Sequence, residues 1–157
     1  MIKYLVMDVD GTLTDGKIYM GQDGEMMKAF NVKDGYGIHN LLEPEGIVPV
    51  IITGRTSQIV INRCNEMNVR KVFQGVSDKG EVLKTLTGDL SEVAYIGDDL
   101  NDMSCIRIVK EAKGLVGCPS DSVKEVIEIS DFVAEHKGGD GAVRDFIEWI
   151  IKQNKGA

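Results

Sequence analysis

The sequence is short of several things, and each shortage removes a class of protein. It holds only three cysteines, Cys64, Cys105 and Cys118, an odd number without metal-ligand spacing. That argues against a disulfide framework or a zinc cluster, and reduced, buried thiols in a cytoplasmic protein are the expectation. Positive charge is scarce: 18 Lys and Arg stand against 25 Asp and Glu, a net charge of −7. Neither nucleic acid nor an anionic membrane is therefore an expected partner, and a bound phosphate must be held by local groups and a metal. No apolar run approaches the roughly 20 residues a membrane span needs. The N-terminus carries one lysine and passes straight into a strand-like run, so no signal peptide is expected. Internal repeats and linkers are missing too. The 157 residues suit one domain, spanning 1–157, with a substantial core.

What is present is concentrated at one place. Residues 2–9 are mostly apolar (Ile2, Tyr4, Leu5, Val6, Met7, Val9) and read as a strand buried on both faces of a parallel sheet. Asp8 and Asp10 stand at its C-terminal end, at a spacing that sends both side chains to one side of a strand. Like charges there are costly unless a cation or hydrogen bonds compensate. Gly11 lets the chain turn sharply and brings backbone N–H groups close to whatever binds. A plain Asp-Gly turn is common. An apolar strand feeding Asp-x-Asp-Gly-Thr is much rarer, and it points to a site.

The rest of the chain alternates strand and helix signals, which predicts an α/β fold with a doubly wound parallel sheet. Strands are expected over 47–53, 71–73, 93–96, 114–116 and 131–133, and helices over 34–43, 57–67 and 101–110. Further helices should begin at Asp78, carrying Lys79 in its first turn, and at Pro119-Ser120-Asp121. A flexible loop, Gly138 to Gly141, precedes a last helix striped with Val143, Phe146, Ile147, Ile150 and Ile151. Residues 14–30 read as a β-hairpin flap beside the first strand's end. Its Tyr19, Met20, Met26 and Met27 suit packing against another subunit better than exposure.

Ligands of open α/β sheets bind outside the carboxyl ends of the strands. Asp8 and Asp10, Thr53, the Lys79 region, and Asp98, Asp99 and Asp102 all fall there. Several carboxylates without His or Cys suit Mg²⁺, not zinc. Mg²⁺ with a lysine and a threonine is what a phosphoryl group needs. One carboxylate can attack phosphorus and the other can move the proton. Asp8, nearest the strand end, is the better nucleophile; Asp10, beyond the bend, is the better acid/base.

Asp8-Val9-Asp10-Gly11-Thr12, Thr53-Gly54-Arg55, Lys79 and Gly97-Asp98-Asp99-x-x-Asp102 resemble the four motifs of the haloacid dehalogenase (HAD) superfamily phosphatases. The flap, Phe30-Asn31-Val32-x-Asp34-Gly35, Phe73-Gln74-Gly75 and Gly138-Gly139-x-Gly141-Ala142-Val143-Arg144 extend the likeness. They are similar to the capless 3-deoxy-D-manno-octulosonate 8-phosphate (KDO 8-phosphate) phosphatase group. That resemblance implies Asp8 as nucleophile, Asp10 as acid/base, and Thr53 and Lys79 gripping the phosphoryl group. It implies Mg²⁺ on Asp8, the Asp10 carbonyl and Asp98, and places Gly11 and Gly54 at the substrate. Arg55 and Arg63 would meet a substrate carboxylate. The implied substrate is a phosphorylated 3-deoxy-2-keto sugar acid of eight or nine carbons. Members without a cap form homotetramers in which a neighbour's flap and tail, here with Arg144, close the site. A phospho-accepting receiver module, a broad-specificity sugar phosphatase and a retired phosphatase kept for its interactions are the alternatives. A receiver needs a lone Asp after the third strand, which Phe73-Gln74-Gly75 does not offer.

Overall fold

A computed structural model describes residues 1–156. In chain order the elements begin with β1 (Tyr4–Met7), the hairpin strands β2 (Tyr19–Gly21) and β3 (Gly24–Met27), and α1 (Val32–Tyr36). There follow β4 (Val48–Ile52), α2 (Gln58–Glu66), β5 (Lys71–Phe73), α3 (Lys79–Lys84), β6 (Val93–Ile96) and α4 (Met103–Glu111). The chain continues through β7 (Leu115–Cys118), α5 (Lys124–Ile129) and β8 (Phe132–Val133) into α6 (Ala142–Gly156). Six strands form one parallel sheet in the order β5-β4-β1-β6-β7-β8, and β2 pairs β3 in a separate hairpin. This is the doubly wound α/β architecture expected.

Strand alternation divides the core in two. Leu5, Met7, Ile51, Ala94 and Ile96 face one layer, with α2 and α6 supplying Val60, Cys64, Phe146, Ile147 and Ile150. Val6, Val50, Ile52, Val93 and Tyr95 face the other, against Leu83 of α3, Ile106 and Val109 of α4, and Val126 of α5. Covered on both faces, β1 and β6 read as continuous apolar runs because, Tyr4 apart, every position in them is buried. The chain runs outward from β1 to β5, then returns to β6 on the other side of β1. The order therefore reverses between β1 and β6, and the crevice above that switch point is where this fold binds ligands. Asp8 follows one of these strands and Asp98 the other.

Several boundaries differ from the sequence expectation. Asp34-Gly35 does not open a helix: Asn31 caps α1, its side chain accepting from the Lys33 N–H at 2.8 Å. α1 then passes into a π-helical turn, Gly37–Leu41, and a 3₁₀ turn, Glu43–Glu45, that Gly46 ends with a φ of 69°. Asp34 serves a different helix, accepting the Arg144 N–H at 2.9 Å near the start of α6. Nor does a helix start at Pro119. Asp121 is taken up by the Gly138 N–H at 3.0 Å, and the Val123 N–H by the Asp98 carbonyl at 3.0 Å. Helical geometry begins only at Lys124.

Most consequential, the Gly138–Gly141 loop is not free. The Gly139 N–H donates to the Thr12 carbonyl at 3.2 Å. A Cβ on Gly138 would stand 1.9 Å from the Gly11 carbonyl oxygen, so backbone packs on backbone there. The glycines serve close approach, not looseness. Among the described residues, no helix is long and apolar enough to cross a membrane.

Candidate active site

Above the carboxyl ends of β1, β4 and β6 lies a cavity of about 230 Å³ whose lining includes Asp8, Asp10, Thr53, Arg55 and Asp98. A larger surface cavity of about 570 Å³ lies near the end of α2, beside Cys64, Asn68 and Arg70. It gathers no carboxylate and offers none of the same chemistry.

The floor of the first cavity is a buried charge network. Lys79, 2% exposed, donates to Asp8 Oδ1 at 2.8 Å and to Asp102 Oδ1 at 3.0 Å. It can reach both because Asp78, accepting from the Glu81 N–H, starts α3 at Lys79 beneath the site. Burial opposes the lysine's charge, but the two carboxylates outweigh it and hold its pKa above the ordinary lysine value. Asp102 is fully satisfied. Tyr95, buried in β6, donates its hydroxyl to Oδ1 at 2.5 Å, while the Asp98 and Asp99 N–H groups donate to Oδ2 at 2.9 and 3.2 Å. Asp99 in turn accepts from the Leu100 N–H at 2.7 Å, completing a capping box with Asp102.

Asp98 keeps more lone pairs free, accepting only the Thr12 hydroxyl at 3.2 Å. Burial first, then the neighbouring Asp8 and Asp102 carboxylates, pushes its carboxyl well above the usual range. Asp8 is pushed the same way by burial and by Asp102, against the pull of Lys79. Oxygens of Asp8, Asp98 and Asp102 lie within 4.8 Å of one another. Those carboxylates share one buried ammonium, so the cluster is short of positive charge, and a hard divalent cation with oxygen ligands fits it. With both Asp102 oxygens occupied, Asp8 and Asp98 are the side chains with capacity to ligate. Gly11, with a φ of 87°, passes so close that a Cβ there would lie 2.0 Å from Asp98 Oδ2. Its place in the site is therefore steric.

Thr53 is buried at the end of β4 and its hydroxyl takes part in no hydrogen bond among the described residues. Gly54 and Arg55 follow it at the cavity mouth, where Arg55 lies 3.7 Å from Glu25 of the flap. Asp10 Oδ1 accepts from Lys28 Nζ at 2.6 Å, and that lysine also reaches Glu25 at 3.0 Å. The flap thus seats on its own chain's Asp10. Arg63 and Arg144 lie elsewhere in the single chain. Arg63 stacks 5.7 Å over Phe30, where a Cβ on Gly35 would collide with it. Arg144 pairs with Glu148 at 3.0 Å and lies 5.4 Å over Tyr36.

Sequence reading missed Lys28, Tyr95 and the anchoring part of Asp102. Nothing local distinguishes Lys28 from a solvated lysine. Tyr95 had one available signal: a phenol in a strand buried on both faces must find a partner for its hydroxyl. Nothing at the end of β5 supplies the lone carboxylate a receiver would need; Gln74 there accepts from the Ser57 N–H at 2.9 Å.

No protein-family model matches the chain. It is 42% identical over 154 residues to the 3-deoxy-D-manno-octulosonate 8-phosphate phosphatase of Yersinia pestis, covering 96% of this chain and 80% of that protein. The structure superposes with a TM-score of 0.88 on the Moraxella catarrhalis 3-deoxy-D-manno-octulosonate 8-phosphate phosphatase in complex with magnesium, phosphate and KDO. That pair is 39% identical over 96% of this chain and 86% of the other. Against the cobalt-bound Haemophilus influenzae enzyme the TM-score is 0.90 at 31% identity, covering 98% and 86%. With these relatives matched along nearly its whole length, and with Asp8, Asp10, Thr53 and Asp98 lining one cavity and Lys79 paired with Asp8 beneath it, the chain belongs to the 3-deoxy-D-manno-octulosonate 8-phosphate phosphatase family of HAD-type phosphoric monoester hydrolases.

Proposed function

We propose that this chain is a Mg²⁺-dependent phosphatase of a phosphorylated 3-deoxy-2-keto sugar acid, KDO 8-phosphate first, acting through an aspartyl-phosphate. One observation carries the reading: Asp8 is 4% exposed at the cavity floor, held by Lys79, with Asp98 beside it and Asp10 on the wall. Asp102 already gives the buried Lys79 one carboxylate partner, and a second carboxylate beside a third, Asp98, is a costly arrangement that a site for a cation and a phosphoryl group accounts for.

Asp8, Asp98 and the Asp10 carbonyl would hold the Mg²⁺. When bound, the ion supplies the charge neutralisation that an anionic phosphoryl group needs next to carboxylates. The chain's own residues do the rest. Lys79 and the Thr53 hydroxyl hold phosphoryl oxygens. The free Asp8 oxygen attacks phosphorus as the bond to the sugar oxygen breaks, and that oxygen takes the proton of the Asp10 carboxyl. Asp10, now a carboxylate, takes a proton from water as it attacks the acyl-phosphate, and this frees phosphate and restores Asp8. Gly54 lets the substrate approach, and Arg55, exposed at the mouth, is suited to bind the sugar's carboxylate with two parallel hydrogen bonds.

A homotetramer belongs to the same reading. Met20, Met26 and Met27 are 64%, 70% and 52% exposed on the single chain, an apolar patch that assembly would bury. Arg63 and Arg144 enter substrate recognition only through such an assembly, by facing a neighbour's site. A cytoplasmic setting belongs to it as well, since Cys64, Cys105 and Cys118 are free, buried thiols that suit a reducing compartment.

The test is phosphate release from eight- and nine-carbon sugar-acid phosphates and from neutral sugar phosphates, with Mg²⁺ or with EDTA. KDO 8-phosphate should give the highest kcat/KM, and EDTA should abolish the reaction. A preference for neutral sugar phosphates would overturn the substrate assignment. Light scattering of the full chain tests the tetramer, and a monomer with full activity would end that part.

A further inference from the structure

The flap is inverted with respect to ordinary burial. Its methionines face outward, while the Lys28 side chain is only 2% exposed. Lysine is rarely buried unless paired, because stripping water from an ammonium is costly. Lys28 has two partners, Asp10 Oδ1 at 2.6 Å and Glu25 Oε2 at 3.0 Å. Glu25 lies three residues before it on the same hairpin, so the flap itself aims the ammonium. The Asp10 side chain is part-exposed at the cavity wall and its Oδ2 takes no part in any hydrogen bond among the described residues. Without Lys28 that side chain would have no fixed orientation. The base of the flap is fixed by the Thr14–Phe30 bridge and by Phe30 against the core; its link to the Asp10 side chain is an ion pair.

We infer that Lys28 is a positioning residue for the reaction: seated by Glu25, it holds Asp10 by Oδ1 and presents Oδ2 to the oxygen that is protonated on departure. The inference rests on Asp10 being the acid/base proposed above, and goes beyond it by giving the flap a part in proton transfer on its own chain. Misplacing a catalytic group by an ångström is enough to slow a reaction on the order of a hundredfold. That loss should follow how far the leaving group needs its proton.

The experiment is a cycle of Lys28→Met, Asp10→Asn and the double variant in the full-length chain with Mg²⁺. Single-turnover rates are read with KDO 8-phosphate, whose alkoxide needs protonation, and with p-nitrophenyl phosphate, whose phenolate hardly does. Lys28→Met should slow the sugar phosphate about tenfold to a hundredfold and the aryl phosphate by less than about threefold. Lys28→Arg, which keeps charge and reach, should recover most of the loss. In the Asp10→Asn background the Lys28 substitution should add almost nothing, since residues that act as a unit are not additive. Additive losses would overturn the inference and make Lys28 structural, as would equal losses on both substrates, which would make it a phosphate contact. If Asp10→Asn itself shows no leaving-group dependence, the acid/base reading fails and takes this inference with it. If Asp10→Asn shows that dependence and Lys28→Met does not, only the role of Lys28 falls.

Discussion

Gly138 is packed so closely on Gly11 that a single added methyl group would stand 1.9 Å from the Gly11 carbonyl oxygen. The loop before α6 thus closes on the first motif. The Gly139 N–H holds the Thr12 carbonyl, and Thr12 in turn holds Asp98. α6 is tied to α1 through Asp34, which accepts the Arg144 N–H. The loop before α6 backs the Gly11 turn, which itself lies against Asp98.

Gly138→Ala should therefore act at a distance from any reacting atom. Forcing a methyl group against backbone costs about 1–3 kcal/mol when the neighbour cannot move. Thermal denaturation should show a lowered Tm, and turnover should fall because the Gly11 turn is pushed toward Asp98. An unchanged Tm with unchanged turnover would show that the loop yields freely.

Asp8→Asn should leave the fold intact by circular dichroism and abolish turnover, because an amide cannot form the acyl-phosphate. Mg²⁺ affinity, read by calorimetry, should fall with it. Retention of even about a tenth of the wild-type rate would refute Asp8 as nucleophile.

Tyr95→Phe removes one hydroxyl from the buried floor. Asp102 loses its 2.5 Å donor while keeping Lys79 and two backbone N–H groups. A hydrogen bond to a charged group contributes roughly 1.5–3 kcal/mol, so urea denaturation should show a loss of that size. A slower reaction is also expected, because Asp102 helps to place Lys79. Unchanged stability would mean that the phenol is not a working partner.

Metal and pH should be linked with a definite sign. The Asp98 carboxyl is raised from an ordinary 3.8 to about 9, by burial first and by its acidic neighbours next. The native state keeps a proton there that the unfolded chain releases near pH 4, so this group's contribution is full in acid and is lost as pH rises toward 9. A bound cation takes the place of that proton. The Tm gain on adding Mg²⁺ should accordingly be larger at pH 8 than at pH 5. A gain independent of pH would count against Asp98 as a ligand.

Much of this protein is legible in its sequence alone. The alternation of apolar runs at periods of about two and 3.6 sets the order of strands and helices, because burial on a strand or a helix face is a local demand. Asp8, Asp10, Thr53, Lys79 and Asp98 all stand at strand ends or helix starts, so knowing the elements places them on one side of the sheet. Which groups touch was decided by the tertiary structure alone. Lys79 meets Asp8 across 71 residues of chain, and Tyr95 selects Asp102 only because α4 folds back over β6. Lys28 reads as any solvated lysine until the hairpin lays it on Asp10. Gly138 reads as part of a flexible loop until its backbone is found against Gly11. In each case the deciding quantity is the cost of burying a charge, or the space left for one carbon atom, and both are set by neighbours distant in sequence.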